Sequence, residues 1–263
     1  MPEDSFTFIG NATALVRLGP FTILTDPNFL HAGQRAYLGY GLTSKRLKDP
    51  AVRIADLPAL DAVVLSHLHG DHWDRVTRRE LDQTVPILTT PKAARALHRQ
   101  RFRRALGLAT WESHQFHRDG STLRVTALPG RHAPGLAEHL LPPVMGSLLE
   151  LTGGSRTFAK RLYITGDTLL FAGLREISRR FPDIDVTVLH LGGTRLPGGL
   201  VVTMTGEQGA ELAEMVGSPR LLPVHYDDYS VMKDPLSSFT RAVERRGLGD
   251  PVVYVERGQT VAL

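Results

Sequence analysis

The chain has 263 residues, is 42% hydrophobic, contains no cysteine and carries a net charge of +4 with a pI near 9.6. That length suits one large α/β domain or two small ones, and the lack of cysteine excludes a disulfide framework and thiolate metal ligation. No apolar run approaches the ~18 residues of a membrane span, and the opening Met1-Pro2-Glu3-Asp4-Ser5 has no secretory pattern, so a cytoplasmic location is expected.

In chain order, residues 6–9, 14–18 and 21–25 read as strands, with Gly19-Pro20 as a turn between the last two. Residues 30–48 are glycine-rich and poorly periodic and read as a rim loop. Strand and helix then alternate: strand 62–65, helix 73–82, strand 86–89 and helix 92–106. Strands at 108–112, 122–128, 145–151 and 161–165 lead to a helix at 170–180. Strand 185–190, helix 206–216, strand 221–224, helix 236–246 and strands 252–255 and 259–262 complete the chain. Without a linker, repeat or low-complexity tract, residues 1–263 are expected to form a single domain. Two packed sheets sandwiched between helices satisfy this mixture, because each sheet has two faces to cover.

The run His67-Leu68-His69-Gly70-Asp71-His72 directly follows the apolar Ala62-Val63-Val64-Leu65. A helix would scatter positions i, i+2, i+4 and i+5 around its circumference, whereas a tight loop at a strand end can converge them. Imidazole and carboxylate are competent ligands for zinc and its neighbours.

This H-x-H-x-D-H run resembles the motif of the metallo-β-lactamase superfamily. The family's remaining ligands have counterparts here in the expected order: His132 after Pro129-Gly130-Arg131, Asp167 after Thr165-Gly166, and His225 after Pro223-Val224. Each follows a short apolar segment, as does Asp26 after residues 21–25, and strand ends are rigid platforms for aiming side chains. The resemblance implies a four-layer αββα sandwich of the α/β (α+β) class over nearly the whole chain. It also implies one metal held by His67, His69 and His132, and a second by Asp71, His72 and His225, with Asp167 bridging. Thr25-Asp26-Pro27, Trp111-Glu112-Ser113-His114 and Leu141-Pro142-Pro143-Val144-Met145-Gly146 resemble the branch holding ascorbate-6-phosphate lactonases and N-acyl-phosphatidylethanolamine phospholipase D. Members of that branch often carry His after the glycine of the first strand; here Gly10 is followed by Asn11.

The chemistry so implied is hydrolysis of an ester, lactone or phosphodiester of a small molecule by a hydroxide shared between two divalent ions. Asp71 is the expected catalytic carboxylate. Nitrogen and carboxylate donors suit zinc, the expected metal, and also manganese or iron. Asp26 and His190 are expected to support or line the site, and His114 and Tyr226 to contact substrate. Arg35, Arg131 and Arg195, in or beside the rim loops 28–48, 133–144 and 192–204, favour an anionic substrate. The run Arg99-Gln100-Arg101-Phe102-Arg103-Arg104 reads as a solvated helix face, since aromatic residues are not interleaved as single-strand nucleic-acid binding requires. The competing classes are a non-catalytic binding protein of the same fold and a di-iron oxidoreductase.

Overall fold

The computed structural model describes residues 4–154 and 159–263. The first sheet is built from β1 (Ser5–Gly10), β2 (Thr13–Leu18) and β3 (Phe21–Thr25), a two-stranded hairpin β4 (Arg35–Gly39) and β5 (Leu42–Lys45) standing apart from it. It continues through β6 (Ala62–Val64), β7 (Ile87–Thr89) and β8 (Ala105–Gly107), with helices α1 (Arg75–Glu80) and α2 (Pro91–Arg99) between them. The second sheet comprises β9 (Ser113–Arg118), β10 (Ser121–Leu128), β11 (Gly146–Gly153), β12 (Lys160–Ile164), β13 (Val186–His190) and β14 (Leu221–Val224). Helices α3 (Arg175–Arg180), α4 (Gly206–Val216) and α5 (Leu236–Arg245) belong to this half, and β15 (Thr260–Ala262) returns to the edge of the first sheet beside β1.

The strand order is β15-β1-β2-β3-β6-β7-β8 in one sheet and β14-β13-β12-β11-β10-β9 in the other. In both, an antiparallel part gives way to a parallel part: β3, β6, β7 and β8 run together, as do β12, β13 and β14.

The alternation of side chains along each strand sets the layers. Val16, Ile23 and Val64 point from the first sheet into a core shared with Leu123, Val125 and Val188 of the second. Their strand neighbours Leu24 and Val63 turn to the opposite face, where Ala94, Leu97 and Phe102 cover them. On the outer face of the second sheet, Leu148, Tyr163 and Leu189 meet Ile177, Ala213 and Phe239. The result is the expected αββα sandwich. Among the described residues no helix is long and apolar enough to cross a membrane.

Several expected boundaries move. The segment read as a rim loop holds the β4–β5 hairpin, whose only buried residues are Ala36, Leu38 and Ser44. The helix expected to reach residue 106 stops at Arg99, so most of the arginine run lies on a turn. Phe102 in that run is buried edge-on to Trp73, which bends the chain back into β8. The strand expected at 108–112 is replaced by β8 and β9 on either side of it, and the helix expected at 170–180 begins as a 3-10 turn, Ala172–Leu174, before α3. Residues 252–255 contribute only an isolated bridge from Val252 to Leu221.

Candidate metal centre

The histidine-rich loop starts where β6, buried along its length, runs out. Its turn is closed by the amides of His72 and Trp73, which donate to the carbonyl of His69 at 3.0 and 2.8 Å. Gly70 lies against the hairpin: its amide donates to the Tyr37 carbonyl at 2.9 Å, and a Cβ there would stand 2.6 Å from the Tyr37 nitrogen. From the other side, the Asn28 amide donates to the carbonyl of Gly70 at 3.0 Å and to Asp74 Oδ2 at 2.9 Å. Asp74 also caps α1 by accepting from the Thr77 amide at 2.8 Å, so the loop is held at both ends.

His67, His69 and His132 form one buried cluster and Asp71, His72, Asp167 and His225 another; within each, the possible ligand atoms lie within 4.8 Å of one another. His69 Nδ1 stands 3.0 Å from both His67 Nε2 and His132 Nε2. Nitrogens bound at 2.0–2.1 Å to a tetrahedral ion stand about 3.3 Å apart, close to this spacing. Outer hydrogen bonds fix which nitrogen faces inward. Ser66 gives its one hydroxyl proton to Asp26 Oδ1 at 2.9 Å, so at 2.9 Å from His67 Nδ1 it accepts, leaving His67 Nε2 with its lone pair toward the cluster. His132 Nδ1 donates to the Val202 carbonyl at 2.9 Å, with the same effect. Burial, then repulsion by neighbouring imidazoles, depresses these histidines: His67 falls well below its ordinary value and His69 to about 3. Neutral imidazole is the ligating form.

The second cluster adds carboxylates. His72 Nε2 is 3.1 Å from Asp167 Oδ2, and His225 Nε2 is 3.4 and 3.5 Å from Asp71 Oδ2 and Asp167 Oδ2. Burial opposes charge on all four. Their mutual attraction wins: Asp167 is held well below the usual carboxylate range by His225 and His72, while Asp167, Asp26 and Asp71 keep His72 well above its ordinary value. Among the described residues, Asp71 Oδ1, Asp167 Oδ1 and His225 Nε2 remain buried without a hydrogen-bond partner. Such atoms are costly unless something pairs with them, and a divalent cation is what two carboxylates and two imidazoles together suit. The donor set therefore fits metal ions in both clusters.

Asp26 supports the centre from β3. It accepts from the Ser66 amide at 2.7 Å and lies 3.3 Å from His72 Nδ1 and 3.6 Å from His190 Nε2. Burial would raise its carboxyl, but the adjoining histidines hold it down at about 2. His190, at the end of β13, stacks on His72 with ring centroids 6.2 Å apart. His114 is not brought to the cluster: it lies on the edge strand β9, edge-on to Phe116. Tyr226 faces a surface groove with Leu47, Asp227 and Met232.

Sequence reasoning left the role of Asn11 open and overlooked Arg46 and Asp228. The Asn11 side chain donates to the Asp71 carbonyl at 2.6 Å, its amide donates to Asp228 Oδ2 at 2.8 Å, and its carbonyl accepts from the His225 amide at 3.1 Å. Asp228 is in turn paired with the fully buried Arg46 at 3.2 Å and with Arg257 at 2.9 Å. Asn11, Asp26 and His225 all adopt positive φ, of 57°, 34° and 61°. Asn and Asp tolerate that region, but His does so less readily, and such conformations persist where surrounding bonds over-determine them.

The expected rim arginines do not converge on the clusters. Arg35 lines a separate cavity with Arg75 and Arg78, and Arg131 is engaged by Glu138 at 3.1 Å. Arg195 is exposed and takes part in a bridge to Val201. A groove of about 300 Å³ that does reach His69 is lined instead by the hairpin, residues 140–143 and α2.

Residues 22–226 match the family described as Beta-lactamase superfamily domain. The chain is 25% identical over 236 residues to N-acyl-phosphatidylethanolamine-hydrolyzing phospholipase D 1 of Caenorhabditis elegans, covering 85% of this chain but 64% of that protein. It is 27% identical over 212 residues to a UPF0173 metal-dependent hydrolase of Deinococcus radiodurans, covering 77% of this chain and 80% of the other. The crystal structure of an isothiocyanate hydrolase from Delia radicum gut bacteria superimposes with a TM-score of 0.78 at 23% identity over 98% of both chains, a likeness of fold.

Proposed function

Because the chain belongs to the beta-lactamase superfamily, we propose that it is a metal-dependent hydrolase of a small molecule, cleaving an ester, lactone or phosphodiester bond. The observation that carries this reading is the pair of abutting buried clusters, His67/His69/His132 and Asp71/His72/Asp167/His225. In this reading His67, His69 and His132 would hold one divalent ion and Asp71, His72, Asp167 and His225 a second, with zinc favoured over manganese or iron by a donor set free of thiolate. Bound there, such ions supply an acidified water and polarise the electrophile's oxygen.

The chain's own residues do the rest. Ser66, Val202 and Asp26 hold the imidazoles of His67, His132 and His72 in the tautomer that faces inward, and the Leu191 carbonyl does so for His225 Nδ1 at 3.2 Å. The Asp71 carboxylate, buried 3.4 Å from His225 Nε2, is the group placed to take the proton of the attacking water. His190 stacks behind His72 and, 3.6 Å from Asp26 and fully buried, backs the imidazole on the side away from the cluster's carboxylates.

Elemental analysis of untagged protein tests this directly, on wild type and His69→Ala. Near two transition-metal ions per chain, falling sharply in the variant, together with metal-dependent turnover of an ester, lactone or phosphodiester, is expected. Protein that stays metal-free after incubation with zinc, manganese and iron would overturn the reading.

A further inference from the structure

The groove beside His69 has two chemical characters. At one end it is lined by His69, which is 9% exposed and whose Nδ1 faces the cluster. Its walls are apolar: Leu38 and Tyr40 of the hairpin region on one side, Leu141 and Pro143 on another. The third wall is one face of α2, where Lys92, Ala96 and Arg99 follow at helical spacing. Lys92 and Arg99 are exposed at the mouth, and among the described residues neither has an ion-pair partner. The Tyr40 hydroxyl donates to the Leu140 carbonyl at 2.7 Å, closing the two apolar walls on each other.

A groove of this size is at the small end of ligand pockets. It cannot swallow a large amphiphile, and its lining offers few polar contacts before the mouth. Lys92 and Arg99 stand two turns apart, about 10 Å along the helix, so that their long side chains can reach one carboxylate between them.

We infer that this groove is the acyl subsite, and that the substrate is an ester or lactone whose apolar acyl arm ends in a carboxylate held by Lys92 and Arg99. The reacting end rests on the hydrolase reading above. Hydrolysis forms a bond from water oxygen to the acyl carbon and breaks the acyl C–O bond. One water proton ends on the alcohol oxygen; an ester gives a dicarboxylic acid and a free alcohol, and a lactone opens to a single hydroxy-dicarboxylic acid.

Calorimetry and saturation-transfer NMR with monomethyl suberate, methyl octanoate and methyl acetate test the subsite on metal-free and zinc-loaded protein, and hydrolysis of the same esters is followed by proton release. Wild type should bind monomethyl suberate at least tenfold more tightly than methyl octanoate, and methyl acetate most weakly. The double variant Lys92→Ala/Arg99→Ala should erase the first preference while leaving metal content and Tm unchanged, since both side chains are exposed. Ala96→Phe, at a half-buried position, should weaken both long esters and spare methyl acetate. Equal binding of charged and uncharged arms by wild type, or a preference that survives loss of both cations, would overturn the subsite. Turnover without any arm preference removes the subsite and leaves the hydrolase. The stated binding pattern without turnover under zinc, manganese or iron removes the hydrolase and leaves the subsite.

Discussion

Asn11 donates its side-chain amide to the main-chain carbonyl of Asp71 at 2.6 Å, tying the end of the first strand to a proposed ligand 60 residues away. The same residue receives the His225 amide and is gripped by Asp228. It thus spaces two proposed ligands without reaching either side chain. Asn11→Ala leaves a buried carbonyl unpaired and puts Ala at a φ of 57°. The expected loss is about 2–4 kcal/mol from the unmet bond and the strained backbone together, read by urea denaturation. Affinity at the Asp71 cluster should fall more than at the His67 cluster in a two-site titration.

Asp26→Asn tests the support behind His72. The variant keeps the shape but removes the charge that faces His72 and His190. Metal affinity is expected to fall roughly 10- to 100-fold, measured by competition with a chelator, with the far-ultraviolet circular dichroism unchanged.

The pH dependence of metal-free protein has a definite sign. His67, His69, His132 and His190 are all held below their ordinary 6.5 by burial, His69 at about 3, so below pH 6.5 the unfolded chain binds more protons and stability falls with acid. His72 and His225 are raised instead. Their contribution is fully present below 6.5 and is lost as pH rises through their folded values. Thermal unfolding in the presence of chelator should therefore show a maximum near pH 6.5 and a Tm lower by several degrees two pH units to either side. Added zinc should move that maximum to higher pH, because the ion competes with protons for imidazole. A Tm that climbs steadily as pH falls from 7 to 5 would contradict the burial of these histidines.

Gly70→Ala places a Cβ 2.6 Å from the Tyr37 nitrogen and 2.7 Å from its oxygen, both main-chain atoms that cannot rotate aside. Either the loop or the hairpin must shift. A destabilisation of about 1–3 kcal/mol is expected, with a parallel loss of bound metal by elemental analysis. Gly120→Ala, at a turn with open space around the Cβ position, is the comparison: it should cost only the strain of its positive φ and leave metal content alone.

What could be read from the sequence was local or ordered along the chain. The loop motif packs four donors into six positions, and the later donors each follow a hydrophobic strand, so strand ends could be found by pattern. The supports were invisible for the opposite reason. Asn11 and Asp228 meet across 217 residues, and Tyr229 reaches Asn28 across 201, with no periodicity to mark them. Ser66 had a weak signal, standing between an apolar strand and the first histidine. The hairpin was missed because its tip, Gly39-Tyr40-Gly41, reads as loop while only Ala36 and Leu38 carry the alternating burial of β4. The helix over 92–106 was found but drawn too long, because the arginine run after residue 99 reads as its continuation, whereas Phe102 is drawn inward to Trp73.

Each cluster takes donors from both sheets: His67, His69, Asp71 and His72 come from the loop after β6, and His132, Asp167 and His225 from the ends of β10, β12 and β14. Neither half alone can assemble either centre. A chain emerging from synthesis offers an ion only the four-donor loop until the second sheet has docked. An ion that takes its whole donor set would therefore tie one half of the sandwich to the other. Metal retention would then report whether the two sheets have met, since sheets formed but undocked leave each donor set incomplete.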